Sequence, residues 1–289
     1  MAMNRFPLKG QQVALCTLLI GATAFLLASH DIVALAVREG LLLCAQNVIP
    51  SLFPLFVTTS LAIGCGLGDL LPPPWAALLL GLVGGYPVGA KTAAELVRSG
   101  SMERQDAQRI LLCCNNTGPA FILGIAGYGV FHSARVGWAL YGIHALSALL
   151  LFLLLPRGQA VRTSRPAAPF SVVFVEAVRS GVTAMLHICG FVVLFLVVLR
   201  LLTVYVRVTH PLLLGAIELT NGILLLPNDA NGFVMASALL GWGGLSVHCQ
   251  TAAVLEGSGL RLSPYLLAKL AQGALSAAMA LAVRGWFFG

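Results

Sequence analysis

Apolar residues run from Gln11 to Ala28 with scarcely a polar interruption, and the first charged side chain after them is Asp31. A run of that length is a membrane-helix candidate, so residues 1–30 are predicted to hold an N-terminal transmembrane helix. It lacks a small-residue cleavage site before His30-Asp31 and is expected to be retained rather than removed as a signal peptide. From Asp31 to Val48 the charges Asp31, Arg38 and Glu39 break the apolar run, which suits an interfacial helix. Pro50 to Gly66 reads as a span. After Pro72-Pro73-Pro74 the apolar run Trp75 to Val83 is too short to cross about 30 Å of hydrocarbon. It ends at GGYPVGAK, and Pro87 to Ser99 reads as a second short helix, stopped at Gly100. Two arms of about twelve residues at about 1.5 Å each reach half the bilayer, so residues 75–99 are predicted to form a re-entrant hairpin with its tip at Gly84 to Gly89. Residues 102–131 read as one discontinuous span, interrupted at NNTGP, and Val136 to Leu155 as a continuous one.

The order then recurs. A polar linker, residues 157–169, precedes an interfacial stretch (Phe170 to Ile188) and a span (Gly190 to Tyr205). A short hairpin, residues 211–227, is interrupted at Glu218-Leu219-Thr220-Asn221-Gly222. A discontinuous span, residues 231–255, is broken at GWGG, and the last span runs from Ser263 to Val283. Matched tetrapeptides keep the same order: VREG at Val37 and VRSG at Val178, LLLG at Leu78 and Leu212, ALSA at Ala145 and Ala274. VRSG also occurs at Val97, out of register. The expectation is an all-α polytopic membrane protein of two repeats, residues 31–156 and 170–289, after the N-terminal helix. Three full spans per repeat give the second the opposite orientation, hence inverted topology.

Composition agrees with this class. The chain has 289 residues, of which 58% are hydrophobic and only 9% charged, whereas soluble domains carry roughly 25% charged residues. Mean hydropathy is +0.92. The net charge of +7 points to topology rather than to nucleic acid. With the N-terminus cytoplasmic, Arg5, Lys9, Arg98, Arg104, Arg109, Arg157, Arg162, Arg165, Arg179 and Arg261 fall inside, and Arg38, Arg135, Arg207 and Arg284 outside. The expected location is a cell membrane. The seven cysteines form no CxxC or Cys/His pattern and read as packing residues. No HExxH, GxSxG or Walker pattern nominates an enzyme, and no metal ligand set or cofactor is expected beyond an unassigned coupling Na⁺ or H⁺.

Candidate chemistry lies at the four interruptions, because a helix that ends in mid-bilayer leaves N–H and C=O groups that only protein, water or ligand can satisfy. At the first hairpin tip, Gly84, Gly85, Pro87 and Gly89 allow a tight turn, Tyr86 offers an aromatic contact, the following helix offers its N-terminus to an anion, and Lys91 adds a full charge. At the first broken span, Asn115, Asn116 and Thr117 supply amides and a hydroxyl. The second half offers Glu218, Thr220 and Asn221 at its hairpin, then Gly243, Ser246, His248 and Gln250 around its broken span. Glu218, an acid deep in an apolar segment, is expected either to pair with Lys91 across the repeat axis or to hold the coupling ion.

SLFPLFV, GGYPVGAK and NNTGPAFILG in this order resemble the sporulation integral membrane proteins of the YlbJ type, within the nucleoside-recognition (Gate) domain superfamily. The resemblance is close over roughly Val48 to Phe131 and carries Gly85, Pro87, Gly89, Ala90, Lys91, Asn115, Asn116 and Pro119. It implies a fold like that of concentrative nucleoside transporters, a place in the bacterial cell membrane or forespore membrane, and dipicolinate movement during spore formation. The expected partners are the lipid bilayer, a small anionic or nucleoside-like substrate and a further copy in a homo-oligomer, without nucleic acid.

Overall fold

The computed structural model of the chain describes residues 10–66, 71–154 and 169–289. The basic N-terminus with Arg5 and Lys9, and the linker with Arg157, Arg162 and Arg165, lie outside them. The described regular elements are all helical, and five helices are long and apolar enough to cross a membrane.

The N-terminal helix, Gly10–Ala28, bends by 86° into the helix that follows, which starts at His30. The two do not both follow the bilayer normal. At the corner Ser29 Oγ lies 2.9 Å from Tyr205 Oη, and the Phe25 ring meets the Tyr205 ring edge-on.

His30–Leu43 continues without a break, through a π-helical stretch Cys44–Val48, into Ile49–Gly64. In the second half Phe170–Leu201 is a single helix of 32 residues, extended by π-helical Leu202–Val206. This corrects the separation of interfacial stretch and span expected in each half. Gly190 has nothing within 4 Å of where a Cβ would sit, and one glycine destabilises a helix by only about 1 kcal/mol, so the helix runs through it. At about 1.5 Å per residue it is about 48 Å long, more than the hydrocarbon core requires.

These two long helices pair antiparallel. Ser29 meets Tyr205, Arg200 donates to Glu39 Oε2 at 2.6 Å, Cys44 Sγ faces the Cys189 carbonyl, and Gly64 abuts Val173. The glycines that end VREG and VRSG are the points of close approach. A Cβ on Gly40 would lie 3.1 Å from Val193 Cα, and one on Gly181 3.3 Å from the Phe53 ring.

The first hairpin is Pro73–Gly84 and Val88–Arg98; the second is Pro211–Ile217 and Leu219–Leu224. Each is closed by a glycine pair. A Cβ on Gly81 would lie 3.1 Å from Gly89 Cα, and one on Gly215 3.2 Å from Gly222 Cα. Gly81 and Gly215 are the last residues of the two LLLG segments. The first broken span is Arg104–Cys114 and, after four non-helical residues, Pro119–Phe121 continued as π-helical Ile122–Val130. The second is Ala230–Trp242 and Leu245–Leu255, and unbroken Ala134–Leu154 and Leu262–Val283 follow the two breaks.

The hairpins open towards opposite ends of the bundle. Arg98, at the open end of the first, donates to the carbonyls of Val254 and Glu256, where the second broken span finishes. Beyond the open end of the second, Asn228 donates to the Phe131 carbonyl, just past the end of the first broken span. A core of Ile122, Leu140, Ile223, Phe233 and Leu240 fills the space between the halves.

Candidate functional site

The first interruption is set by local chemistry. Gly85 has φ +76°, open to glycine and strained for other residues. A Cβ there would lie 2.9 Å from the Gly118 amide nitrogen. Gly81 and Gly89 sit so close to the Cys114 carbonyl that a Cβ on either would overlap its oxygen. The hairpin tip is thereby seated on the break of the first broken span, backbone against backbone.

Within that break, Asn115 and Gly118 are extended. A helix running on would bond the Asn115 carbonyl to the N–H of residue 119, but Pro119 has none. The carbonyl accepts instead from Lys269 Nζ at 2.9 Å. The Asn115 side chain accepts from the Ala90 N–H at 3.3 Å and donates to Thr251 Oγ1 and Tyr265 Oη, both at 2.9 Å. Asn116 Oδ1 accepts from Gln272 Nε2 at 3.0 Å while its Nδ2 donates to the Cys113 carbonyl. The Thr117 N–H donates to His144 Nε2 at 3.0 Å.

The second break turns through Gly243 (φ +93°) and Gly244 (φ +87°). The Leu240 carbonyl just before it accepts from Thr117 Oγ1 at 3.1 Å and more distantly from Tyr86 Oη at 3.4 Å. Gly243 faces Tyr86, and Gly244 is pressed against the Gly215 carbonyl and the Leu219 amide of the second hairpin. Trp242 Nε1 donates to the Ala216 carbonyl. The four interruptions thus meet in one buried region: Gly85 against Gly118, Thr117 against Leu240, Gly243 against Tyr86 and Gly244 against Gly215.

Several predicted residues are turned to local tasks. Lys91 Nζ donates to Ser60 Oγ at 2.8 Å, lies 3.7 Å from Glu95 and sits 5.1 Å from the centre of the Phe56 ring. Glu218 caps its own helix, accepting from the Thr220 N–H, the Asn221 N–H and Asn221 Nδ2 at 3.2, 2.9 and 2.7 Å. The expected Lys91–Glu218 pair is therefore not made, because each charge is satisfied by neighbours on its own hairpin or on Ile49–Gly64. Gln250 Nε2 donates to Ser246 Oγ at 3.3 Å.

His248 is 2% exposed and lies between the Trp242 ring at 4.3 Å and the Tyr265 ring at 5.4 Å. Neither of its ring nitrogens has a hydrogen-bond partner, and His144 Nδ1 and Ser237 Oγ share that condition. Such groups are rare in a packed interior.

The residue at the centre, Lys269, was not among those predicted. It is fully buried; besides the Asn115 carbonyl it donates to Gln272 Oε1 at 2.6 Å, and it stands 5.2 Å from the centre of the Tyr86 ring. None of the ion pairs among the described residues includes it. The signal was present in the sequence, one lysine in the apolar run Leu262–Val283, since an ionisable residue in a span faces the bundle interior. Gln272, Tyr265, Thr251 and His144 were likewise unmarked by any motif.

No family model matches the chain, and no solved structure matches it. The chain is 29% identical to the sporulation integral membrane protein YlbJ of Bacillus subtilis (strain 168), over 84% of this chain and 75% of that protein. That likeness runs along most of both sequences, and with helices of spanning length and apolarity it makes the chain an integral membrane protein similar to YlbJ.

Proposed function

We propose that the chain carries a small organic anion across the membrane by alternating access, with dipicolinate during sporulation as the cargo that the family resemblance implies. The observation that carries this reading is Lys269, a buried ammonium with neutral oxygen partners and no paired carboxylate among the described residues. An uncompensated positive charge at that depth favours an anionic guest. His248, with both nitrogens unpartnered beside Trp242 and Tyr265, supplies donor and acceptor capacity next to the same region.

The inverted-repeat architecture of the nucleoside-recognition superfamily belongs to this proposal. It is supported by the antiparallel pairing of the two long helices, because an axis along the membrane normal would run equivalent helices parallel, whereas an axis in the membrane plane reverses one of them. The hairpins opening at opposite ends agree with it. Arg98, Arg104 and Arg261 gather at one end through contacts with Val254, Gly259 and Gln108, and Arg135 and Arg284 at the other, beside Trp286 and Asn231. Under the positive-inside rule the first end faces the cytoplasm.

Purified protein in liposomes tests the reading. Saturable dipicolinate uptake that falls about tenfold or more in Lys269→Met, equivalent to at least about 1.4 kcal/mol, supports it. Uridine uptake in its place identifies a nucleoside-type carrier, and binding without flux a membrane sensor or scaffold; either result overturns the anion carrier.

A further inference from the structure

Carriers built from repeats hold their coupling cation with backbone carbonyls freed where a helix unwinds. In this chain the carbonyl freed at the first break is already occupied by a lysine. Asn115 O, which Pro119 leaves without a helical donor, accepts from Lys269 Nζ at 2.9 Å. We propose that the Lys269 ammonium is a tethered substitute for a free monovalent cation at this break, so that the chain needs no Na⁺ there.

The donor set fits that role. Both oxygens on the ammonium are neutral, the Asn115 carbonyl and Gln272 Oε1, which is how a monovalent cation is held without a carboxylate. Gln272 is itself fixed, because its Nε2 donates to Asn116 Oδ1 at 3.0 Å and so aims the amide oxygen at Lys269. The Tyr86 ring, 5.2 Å away at its centre, presents a π surface to the same charge. First-hairpin tip, first break and the last span of the chain are thus joined through one positive centre. The proposal concerns the cation and not the cargo, so it stands or falls separately from anion carriage.

The test reads stability, with no cargo present. Thermal unfolding of the purified full chain in detergent is followed in choline chloride and in NaCl at equal ionic strength, with methylammonium as a third salt. Wild type is expected to unfold at the same temperature in all three. Lys269→Ala is expected to unfold lower in choline and to recover saturably with methylammonium or Na⁺, since a ligand that binds only the folded state raises its stability. Lys269→Ser, whose hydroxyl stays near the backbone and leaves the Nζ position open, is expected to respond to Na⁺ in the same way. A saturable Na⁺-dependent rise in wild type overturns the proposal, and that arm needs no variant to fold. It is equally overturned if folded, monodisperse Lys269→Ala or Lys269→Ser is indifferent to both Na⁺ and methylammonium.

Discussion

Ser276 Oγ donates a 2.9 Å hydrogen bond to Ser147 Oγ, and the two serines are the third residues of the matched ALSA segments. Contact between equivalent positions is what a two-fold axis passing between them requires. Both side chains are fully buried, and Ser147 in turn donates to the His144 carbonyl at 2.8 Å. Either serine replaced by alanine is expected to destabilise the protein by about 1–2 kcal/mol, because one buried hydroxyl loses its partner. The double variant is expected to fall short of the sum by at least about 0.5 kcal/mol. Denaturant titration in detergent measures this, and strict additivity would show that the hydroxyls do not interact.

Asn115 holds the first break through its side chain, with bonds to Ala90, Thr251 and Tyr265. Asn115→Ala leaves a buried N–H and two buried hydroxyls short of a partner, at about 1–3 kcal/mol for each group not satisfied otherwise. A loss of at least about 2 kcal/mol in unfolding free energy is expected. Thr251→Ala, which removes one of the three bonds together with the local one from Thr251 Oγ1 to the Val247 carbonyl, is expected to cost less than Asn115→Ala.

The glycines at the first hairpin admit no side chain. Gly81→Ala and Gly89→Ala each place a methyl on the Cys114 carbonyl oxygen, and overpacking against backbone, which has no rotamer to yield, is expected to exceed the usual 1–3 kcal/mol. Fluorescence-detected gel filtration should find little monodisperse protein. Gly142→Ala, with nothing within 4 Å, serves as the control and is expected to be neutral or slightly stabilising; equal behaviour of all three would contradict the close contact.

Lys91 and Glu218 act separately. Glu218→Ala is expected to destabilise by about 1 kcal/mol as a lost helix cap, and Lys91→Met to act through Ser60 and Glu95. Their effects should add within about 0.5 kcal/mol. A larger coupling in thermal unfolding would restore the cross-repeat pair that the sequence suggested.

Where a residue's own backbone chemistry decides the outcome, the sequence was readable. Gly85, Asn115 to Gly118, Glu218 and Gly243-Gly244 all interrupt helices where the Gly, Pro, Asn and acid pattern places the interruptions. The continuity of Phe170–Leu201 was readable from the lack of a strong breaker around Gly190 but was masked by the change from mixed to apolar composition, while that of His30 to Gly64 was not, since the π-helical stretch Cys44–Val48 and the tolerated Pro54 depend on what the helix packs against. The candidate site divides in the same way. Asn115 and Asn116 carry their location in the motif, whereas the direction of Lys91 towards Ser60 is a matter of side-chain path. Lys269 was legible in principle as a solitary charge in a span, but nothing near it in sequence names Asn115, which is 154 residues away.

The seating of Gly81 and Gly89 on the Cys114 carbonyl has a mechanical corollary. Main chain pressed on main chain has no side chain to rearrange, so in the carrier proposed above the first hairpin and its broken span would move as one lever, and Gly244 against Gly215 would make a second lever of the other hairpin and broken span. Relative motion would then fall on the seam between the levers, where side-chain hydrogen bonds such as Thr117 to Leu240 and Asn115 to Thr251 would exchange partners without distorting either body.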